Sequence, residues 1–326
     1  MRTTFMQQID LIMGGPGPEA DISRASARHI APILTDLGHD VQMIDIERDL
    51  DFSRLRPNSV VFNIIHGRYG EDGTLQEALE AVERTFIGSG SAASRLCMDK
   101  AATKQVLEAA GLPVPAGVAV AADDPGTGRA DALAATDGLI VKPAGEGSSF
   151  GLRLIDGPAQ VAAAIADARS EVGPVTMLVE ARLRGPEYSV TVLEGGEGQL
   201  TALTPVTISV ADTYDFAAKY QRDDTGFTFV DVPDLVAALG DLARRACVAC
   251  GCRDLARVDI MADRDGSLYI LEINTLPGFT DHSLVPMAAA HDGLGLPFLL
   301  EHMVLRAADR RVCRCKYHPD EGVEHA

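Results

Sequence analysis

The sequence predicts an α/β protein that opens with a parallel sheet and continues into mixed α+β units. Three observations predict it. Roughly the first ninety residues alternate strand, glycine loop and helix, the order that builds a parallel sheet covered on both faces. The last third carries two apolar–polar strands joined through Asp265-Gly266, a hairpin and therefore an antiparallel pair. The length, 326 residues, exceeds one ordinary core and suits two or three domains.

The elements follow in order. Residues 8–13 form a short apolar strand, followed by Gly14-Gly15-Pro16-Gly17-Pro18-Glu19. Ser23 is placed to cap a helix whose apolar face is Ile30, Ile33, Leu34 and Leu37, at helical spacing. Gly38 ends that helix, and Pro32 inside it predicts a kink or a later start. Residues 41–45 and 60–65 are strands; the second leads into His66-Gly67-Arg68-Tyr69-Gly70-Glu71-Asp72-Gly73 and a helix from Thr74. In a parallel sheet such loops at the strand C-termini gather ligands. A helix over 98–110 stops at Gly111 and Pro113; 121–131 reads as a loop. A strand at 139–142 runs into a glycine-rich loop over 143–151, then a helix at 159–169 and a strand at 176–180. Several strands, a polar stretch at 210–225 and a helix at 235–249 fill the last part, with a polar tail from Val312. The domain boundaries read as 1–93, 94–185 and 186–326.

Composition narrows the function. Hydrophobic residues make up 46% and charged residues 23%, the balance of a globular protein. The net charge of −18 argues against a nucleic-acid partner and an anionic membrane, both of which are gripped by clustered Lys and Arg. It leaves nucleotides open, since one triphosphate needs only a local cationic pocket. No apolar run approaches a membrane span, and the N-terminus lacks the pattern of a signal peptide. Six irregularly spaced cysteines suit a reducing compartment, so a cytoplasmic protein is expected.

The hairpin concentrates chemistry. With Asp265 and Gly266 as a tight turn, Arg264 pairs with Ser267; counting outward, Asp259 faces Glu272 and Arg257 faces Asn274. The strand period of two collects these four side chains on one face and leaves Val258, Ile260, Leu271 and Ile273 on the other. Opposed carboxylates repel unless a cation lies between them, and a few hard oxygen ligands describe a magnesium site. Taken alone, the face fits a solvated edge hairpin equally well. Lys142-Pro143-Ala144-Gly145-Glu146-Gly147-Ser148-Ser149-Phe150-Gly151 follows a strand, and its backbone N–H groups can cradle phosphate. In isolation such a loop is more often merely flexible; Lys142 before it, and Lys100 at a helix start, add positive charge.

These segments, with Gly88-Ser89-Gly90, Met98-Asp99-Lys100, Gly185-Pro186-Glu187-Tyr188, Lys219-Tyr220, the run from Glu272 to Gly278 and His282-Ser283-Leu284-Val285-Pro286, resemble the D-alanine–D-alanine ligase family of the ATP-grasp superfamily. They occur in family order over about residues 8–305. The resemblance implies a Rossmann-like N-terminal sheet followed by the two lobes of the ATP-grasp fold. It also implies a ligase that makes D-alanyl-D-alanine from ATP through an acyl phosphate, for peptidoglycan precursor synthesis. Lys100, Lys142, Ser149 and Lys219 would hold ATP, with Glu180, Leu183 and Glu187 framing adenine and ribose. Asp259, Glu272 and Asn274 would bind two magnesium ions, with manganese as a substitute. Glu19, with His66 close by, would take the first amino acid's ammonium, and Glu19, Ser148 and Tyr220 would form a linked hydrogen-bond set. Arg257 would steady the acyl phosphate and tetrahedral intermediate; Gly278, Ser283 and Leu284 would receive the second substrate. Tyr220 favours an amine acceptor, since family members that make an ester lack it. The stretch 210–225, with Lys219 and Tyr220, would be the mobile loop that excludes water. A homodimer is also implied.

The chain departs from the family where Gly17 stands for the usual serine, at Ala181 and Arg182, and over 225–233. The first departure touches the first-substrate pocket and keeps open a related ligase of secondary metabolism that joins other amino acids. Cys247, Cys250 and Cys252 read as core thiols, since no second ligand pair stands at zinc-finger spacing. Cys313, Cys315 and His318 carry no assignment. Glu71 and Asp72 are explained by placement near a helix N-terminus.

Overall fold

A computed structural model describes residues 6–128, 130, 133, 137–147, 150–209, 226–280 and 282–317, with the backbone alone at 197 and 311–317. Ser148, Ser149, Lys219 and Tyr220, the expected loop at 210–225, and His318 lie outside the described residues.

Three sheets follow one another. The first is parallel, in the order β2 (Asp40–Ile46), β1 (Gln8–Gly14), β3 (Val60–Asn63). Strand β1 is buried from Ile9 onward, as expected of a central parallel strand with both faces covered. Helix α1 (Ala20–Asp36) packs on it through Ala27, Ile30 and Leu34. The helix starts at Ala20, not at Ser23: Glu19 stands at its N-cap. Ser23 is buried one turn in, and its Oγ accepts the Gly14 amide at 2.9 Å. The serine therefore ties the first loop to the helix instead of ending it. Pro32 is exposed on the outer side, and the helix runs through it unbroken.

The helix expected over 98–110 is α4 (Lys100–Ala109); α3 (Ser91–Met98), which was not expected, precedes it, and both follow α2 (Thr74–Ala81). Asp99 makes the break: extended in backbone, it accepts the Ala101 and Ala102 amides and caps α4. The break sets Lys100 at the first position of α4, with its amide donating to Ala144 O of the glycine-rich loop at 2.9 Å.

The second sheet is antiparallel, in the order β4 (Gly117–Val120), β7 (Met177–Ala181), β5 (Leu139–Pro143), β6 (Arg153–Ile155), and is covered by α5 (Val161–Val172). The third runs β11 (Gly226–Phe229), β10 (Val206–Ser209), β8 (Glu187–Glu194), β12 (Leu255–Ala262), β13 (Leu268–Asn274), with β9 (Leu200–Ala202) beside β8. Tyr188, Val190, Val192, Val258 and Ile260 turn to α6 (Pro233–Cys250); Ser189, Thr191, Arg257 and Asp259 turn the other way. Helices α7 (Leu284–His291) and α8 (Leu296–Tyr317) close the chain. The core that holds Ile9, Leu11 and Phe62 of the first sheet also holds Leu299, Leu300, Met303 and Val304 of α8. Phe62 meets Phe279 edge to face, ring centres 5.9 Å apart.

Asp254 staples these parts. It is buried at φ +60°, a conformation that Asp and Asn tolerate. Its Oδ2 accepts the Gly88 amide and, with Oδ1, the two guanidinium nitrogens of Arg310 on α8.

Among the described residues, no helix is long and apolar enough to cross a membrane. Cys97, Cys247, Cys250 and Cys252 are free and buried, with 3.8 Å between the Cys97 and Cys252 sulfurs.

Candidate functional site

The hairpin pairs Arg257 with Asn274 and Asp259 with Glu272, the pairs expected, but reaches them differently. The turn is not the tight pair Asp265-Gly266. Asp263 closes a longer loop, its amide donating to Ser267 O and its Oδ1 accepting the Asp265 and Ser267 amides. Gly266, at φ +84°, supplies the left-handed residue such a three-residue loop needs. That sets Ala262 opposite Leu268, one residue out of the expected register. A bulge between Asp259 and Ile260 then takes up the extra residue on β13 and restores the register. Ile270, not Leu271, therefore joins Val258, Ile260 and Ile273 on the packed face.

On the polar face, Arg257 grips Asp259 with both arms: Nε to Oδ1 at 2.9 Å and Nη2 to Oδ2 at 2.8 Å. Ser189 on β8 donates to Oδ1 at 3.0 Å from the neighbouring strand. Asp259 is 3% exposed, so its charge is held by these donors and not by water. Glu272 lies 3.3 Å from Lys100 Nζ, which also donates to Glu146 O of the glycine-rich loop at 2.8 Å. Asn274 Oδ1 accepts the Leu276 amide. No three His, Cys, Asp or Glu side chains among the described residues are grouped to hold a metal by themselves. Two carboxylates and one amide are a fitting hard-oxygen set for magnesium when phosphate oxygens complete the shell. The opposed carboxylates each lean on a side-chain cation, the electrostatic demand a divalent ion would meet.

Above this platform lies a buried charge cluster. Glu180 on β7 is 2% exposed, with Lys142 Nζ 2.8 Å from Oε2 and Lys104 Nζ 2.7 Å from Oε1. Burial works against the charge of Lys142, but Glu180, Glu272 and Glu187 outweigh it, and its pKa lies above the usual lysine value. Burial likewise lifts the Glu180 carboxyl, and the two lysines more than reverse that, holding it below its usual range. Leu183 and Glu187 flank the crossing from β7 to β8, where the Gly185 amide donates to Ala262 O.

A second cluster forms at the ends of the parallel strands. Glu19 at the start of α1 reaches Gly67: a Cβ there would sit 2.8 Å from Glu19 Oε2. His66 Nδ1 is 3.2 Å from Glu71 Oε1, and its buried Nε2 makes no well-aligned hydrogen bond. Burial opposes charge on His66, yet Glu71 and Glu19 raise its pKa above the ordinary value. Burial raises the Glu71 carboxyl, against the pull of His66. Arg68 pairs with Glu146, joining this loop to the glycine-rich loop. On the far side, Ser283 stands at the N-cap of α7, with its Oγ accepting the Thr280 amide at 3.0 Å, and Leu284 begins the helix. A helix N-terminus is suited to a carboxylate. Gly278 leaves room for Ser283: a Cβ there would lie 2.9 Å from Ser283 Oγ and the hydroxyl would have to turn.

The structure thus joins Arg257, Asp259, Glu272, Lys100, Lys142 and Glu180 into one strip, with Glu19 and His66 at its edge. The sequence reading missed Lys104 and Ser189, and gave Glu71 and Glu146 no role. For Lys104 the signal was present, since it lies one helical turn after Lys100.

The comparisons with known proteins agree with this arrangement. The sequence model of a family described as D-ala D-ala ligase C-terminus matches residues 106–305. A D-alanine–D-alanine ligase of Halorhodospira halophila is 39% identical over 305 residues, 91% of this chain and 95% of that protein. One of Pseudomonas entomophila is 39% identical over 296 residues, 88% of this chain and 89% of that protein. Among solved structures, the D-alanine–D-alanine ligase of Coxiella burnetii superposes with a TM-score of 0.81 at 25% identity, over 96% of this chain and all of that one (100%). The Bacillus anthracis enzyme complexed with ATP gives 0.79 at 25% identity, over 94% of this chain and 99% of that one.

Proposed function

The chain belongs to the D-alanine–D-alanine ligase family, and we propose that it is an ATP-dependent carboxylate–amine ligase that joins two molecules of D-alanine. The observation that carries this reading is the Lys100–Glu272 contact, which sets the phosphate-binding lysines against the opposed carboxylates of the hairpin. A carboxylate is a poor electrophile, so ATP must first phosphorylate it. A carboxylate oxygen of the first D-alanine attacks the γ-phosphorus, and ADP leaves. Positioning and charge neutralisation drive such a transfer, and Lys100, Lys142 and Arg257 supply both. Bound magnesium would be held by Asp259, Glu272 and Asn274 and would neutralise charge on the transferring phosphoryl oxygens. The second amine then attacks the acyl carbon and releases inorganic phosphate. Glu19, beside His66, orients the first ammonium, and Ser283 and Leu284 at the start of α7 receive the second carboxylate. In this reading Arg257 would hold the acyl phosphate and the tetrahedral oxyanion. Ser148, Ser149, Leu183, Glu187, Lys219, Tyr220 and Gly278 keep the roles their resemblance gives them.

A panel of D- and L-amino acids scored by ADP release tests the reading. ADP release should require D-alanine and magnesium; turnover with L-amino acids alone would refute it. One observation favours a second reading, a ligase for other amino acids. A Cβ at Gly17 would touch only His66 O at 3.8 Å and Glu19 N at 4.0 Å, so the loop does not need glycine there. We further assign the boundaries 1–93, 94–185 and 186–326, a homodimer, and a cytoplasmic location in keeping with the four free buried thiols.

A further inference from the structure

Lys104 belongs to none of the roles above, yet its ammonium lies in the middle of the nucleotide site. We propose that Lys104 is a positioning residue: it keeps Glu180 neutralised so that Lys142 is released to the phosphates of ATP. The inference rests on the ligase reading.

The cluster is unbalanced. One carboxylate, Glu180, touches two ammonium groups; Glu180 and Lys104 are buried and Lys142 is partly so. Lys104 Nζ is 2.7 Å from Glu180 Oε1, but the contact is not aligned as a hydrogen bond, and neither atom finds a hydrogen-bond partner among the described residues. An ammonium has three donors to satisfy, and burying them unfilled is costly. With two ammonium groups sharing the one carboxylate they touch, one of them can turn to an anion without leaving Glu180 bare.

Geometry decides which lysine moves. Lys104 is fixed one turn into α4, whose first amide donates to Ala144 O and whose Lys100 is tied to Glu146 O and Glu272. Lys142 is the last charged residue before the glycine-rich loop, next to where a phosphate over that loop would lie. A triphosphate over that loop draws Lys142 off Glu180 Oε2. Without Lys104 the departing lysine would leave a bare buried carboxylate beside a polyanion. With it, the carboxylate keeps a counter-ion.

The groups facing Lys104 are Glu180 from β7, Lys142 from β5 and Glu272 from β13. Burial, with Lys142 adding repulsion, lowers its pKa to about 8 against the pull of Glu180 and Glu272. As pH rises through that value Lys104 loses its charge, Glu180 holds Lys142 harder, and ATP affinity falls.

The test is calorimetric titration of the full-length protein with magnesium and a non-hydrolysable ATP analogue. Lys104→Met should weaken binding about tenfold, the loss of one charge-assisted contact, and Lys104→Arg should restore it. In a Glu180→Gln background, where no carboxylate competes for Lys142, Lys104→Met should cost nothing further. In wild type, affinity should decline above pH 8, and in Lys104→Arg that decline should vanish. Unchanged affinity in a folded Lys104→Met protein overturns the proposal, as does a decline above pH 8 that persists in Lys104→Arg. The latter pair stays informative if the methionine variant does not fold. Wild type that fails to bind the analogue would refute the ligase reading itself. Wild type that binds it, with Lys104→Met unaffected, refutes only the role of Lys104.

Discussion

Ser189→Ala removes one hydroxyl and tests the hairpin as a metal platform. Ser189 is 2% exposed and its Oγ donates to Asp259 Oδ1 at 3.0 Å. Asp259 would keep the bidentate grip of Arg257, so the carboxylate loses one of three donors and not its charge partner. A hydrogen bond to a charged group contributes about 1.5–3 kcal/mol, and with two donors remaining the lower end applies. About 1.5 kcal/mol corresponds to roughly tenfold in an equilibrium, within the range for residues that orient metal ligands. The magnesium concentration for half-maximal ADP release, at saturating ATP and D-alanine, should therefore rise about tenfold. Manganese binding followed by electron paramagnetic resonance should weaken in parallel without turnover. Ser189→Thr keeps the hydroxyl and should stay near wild type. If Ser189→Ala lowers the melting temperature and leaves both metal titrations unchanged, the serine only packs, and Asp259 is not oriented by it.

Other perturbations have defined outcomes. Glu71→Gln removes the carboxylate that raises His66, so burial prevails and the imidazole pKa, read by NMR, should fall below about 6.5, the unperturbed value. A His66 pKa that stays raised would assign the effect to Glu19. Gly278→Ala places a methyl where only 2.9 Å separates Cβ from Ser283 Oγ; kcat/KM for the second D-alanine should fall on the order of tenfold or more in steady-state kinetics, since small misplacements of a binding group are costly. Asp254→Asn suits the positive φ but removes the charge opposite Arg310, and should cost about 2–3 kcal/mol in urea unfolding, less than a fully buried pair because Arg310 is partly exposed. Arg310→Met leaves the fully buried Asp254 carboxylate without its counter-ion and should cost at least as much, and the double variant less than the sum.

Much of this was legible in the chain because it is local. Strand β1, α1 and the glycine loops follow from apolar runs and spacing, and the pairing of Asp259 with Glu272 follows from a count along the hairpin. That count was right because two departures compensate. The Asp263 side chain holds a longer turn, and the bulge on β13 returns the lost residue. Neither is visible in a pattern of period two. Ser23 was misplaced because its hydroxyl satisfies a distant amide, Gly14 N, instead of one in its own helix. Glu71 was passed over because its meeting with His66 depends on left-handed residues at Gly67 and Tyr69 that fold the loop back. Ser189 gains its partner from a neighbouring strand, and Glu180 from a strand and a helix distant in sequence, which only tertiary structure brings together.

The last helix has a consequence for how the molecule is made. Ile9, Leu11 and Phe62 are made long before α8, but the core they enter is completed by Leu299, Leu300, Met303 and Val304 of that helix. Domains generally fold in the order they are synthesised. Here the first sheet must wait, with an apolar face only partly covered by α1, until α8 has been translated. Contacts of such long sequence separation are slow to form. The opening strands are thus the segment most in need of a chaperone, and a truncation before α8 would leave the beginning of the protein, not its end, unfinished.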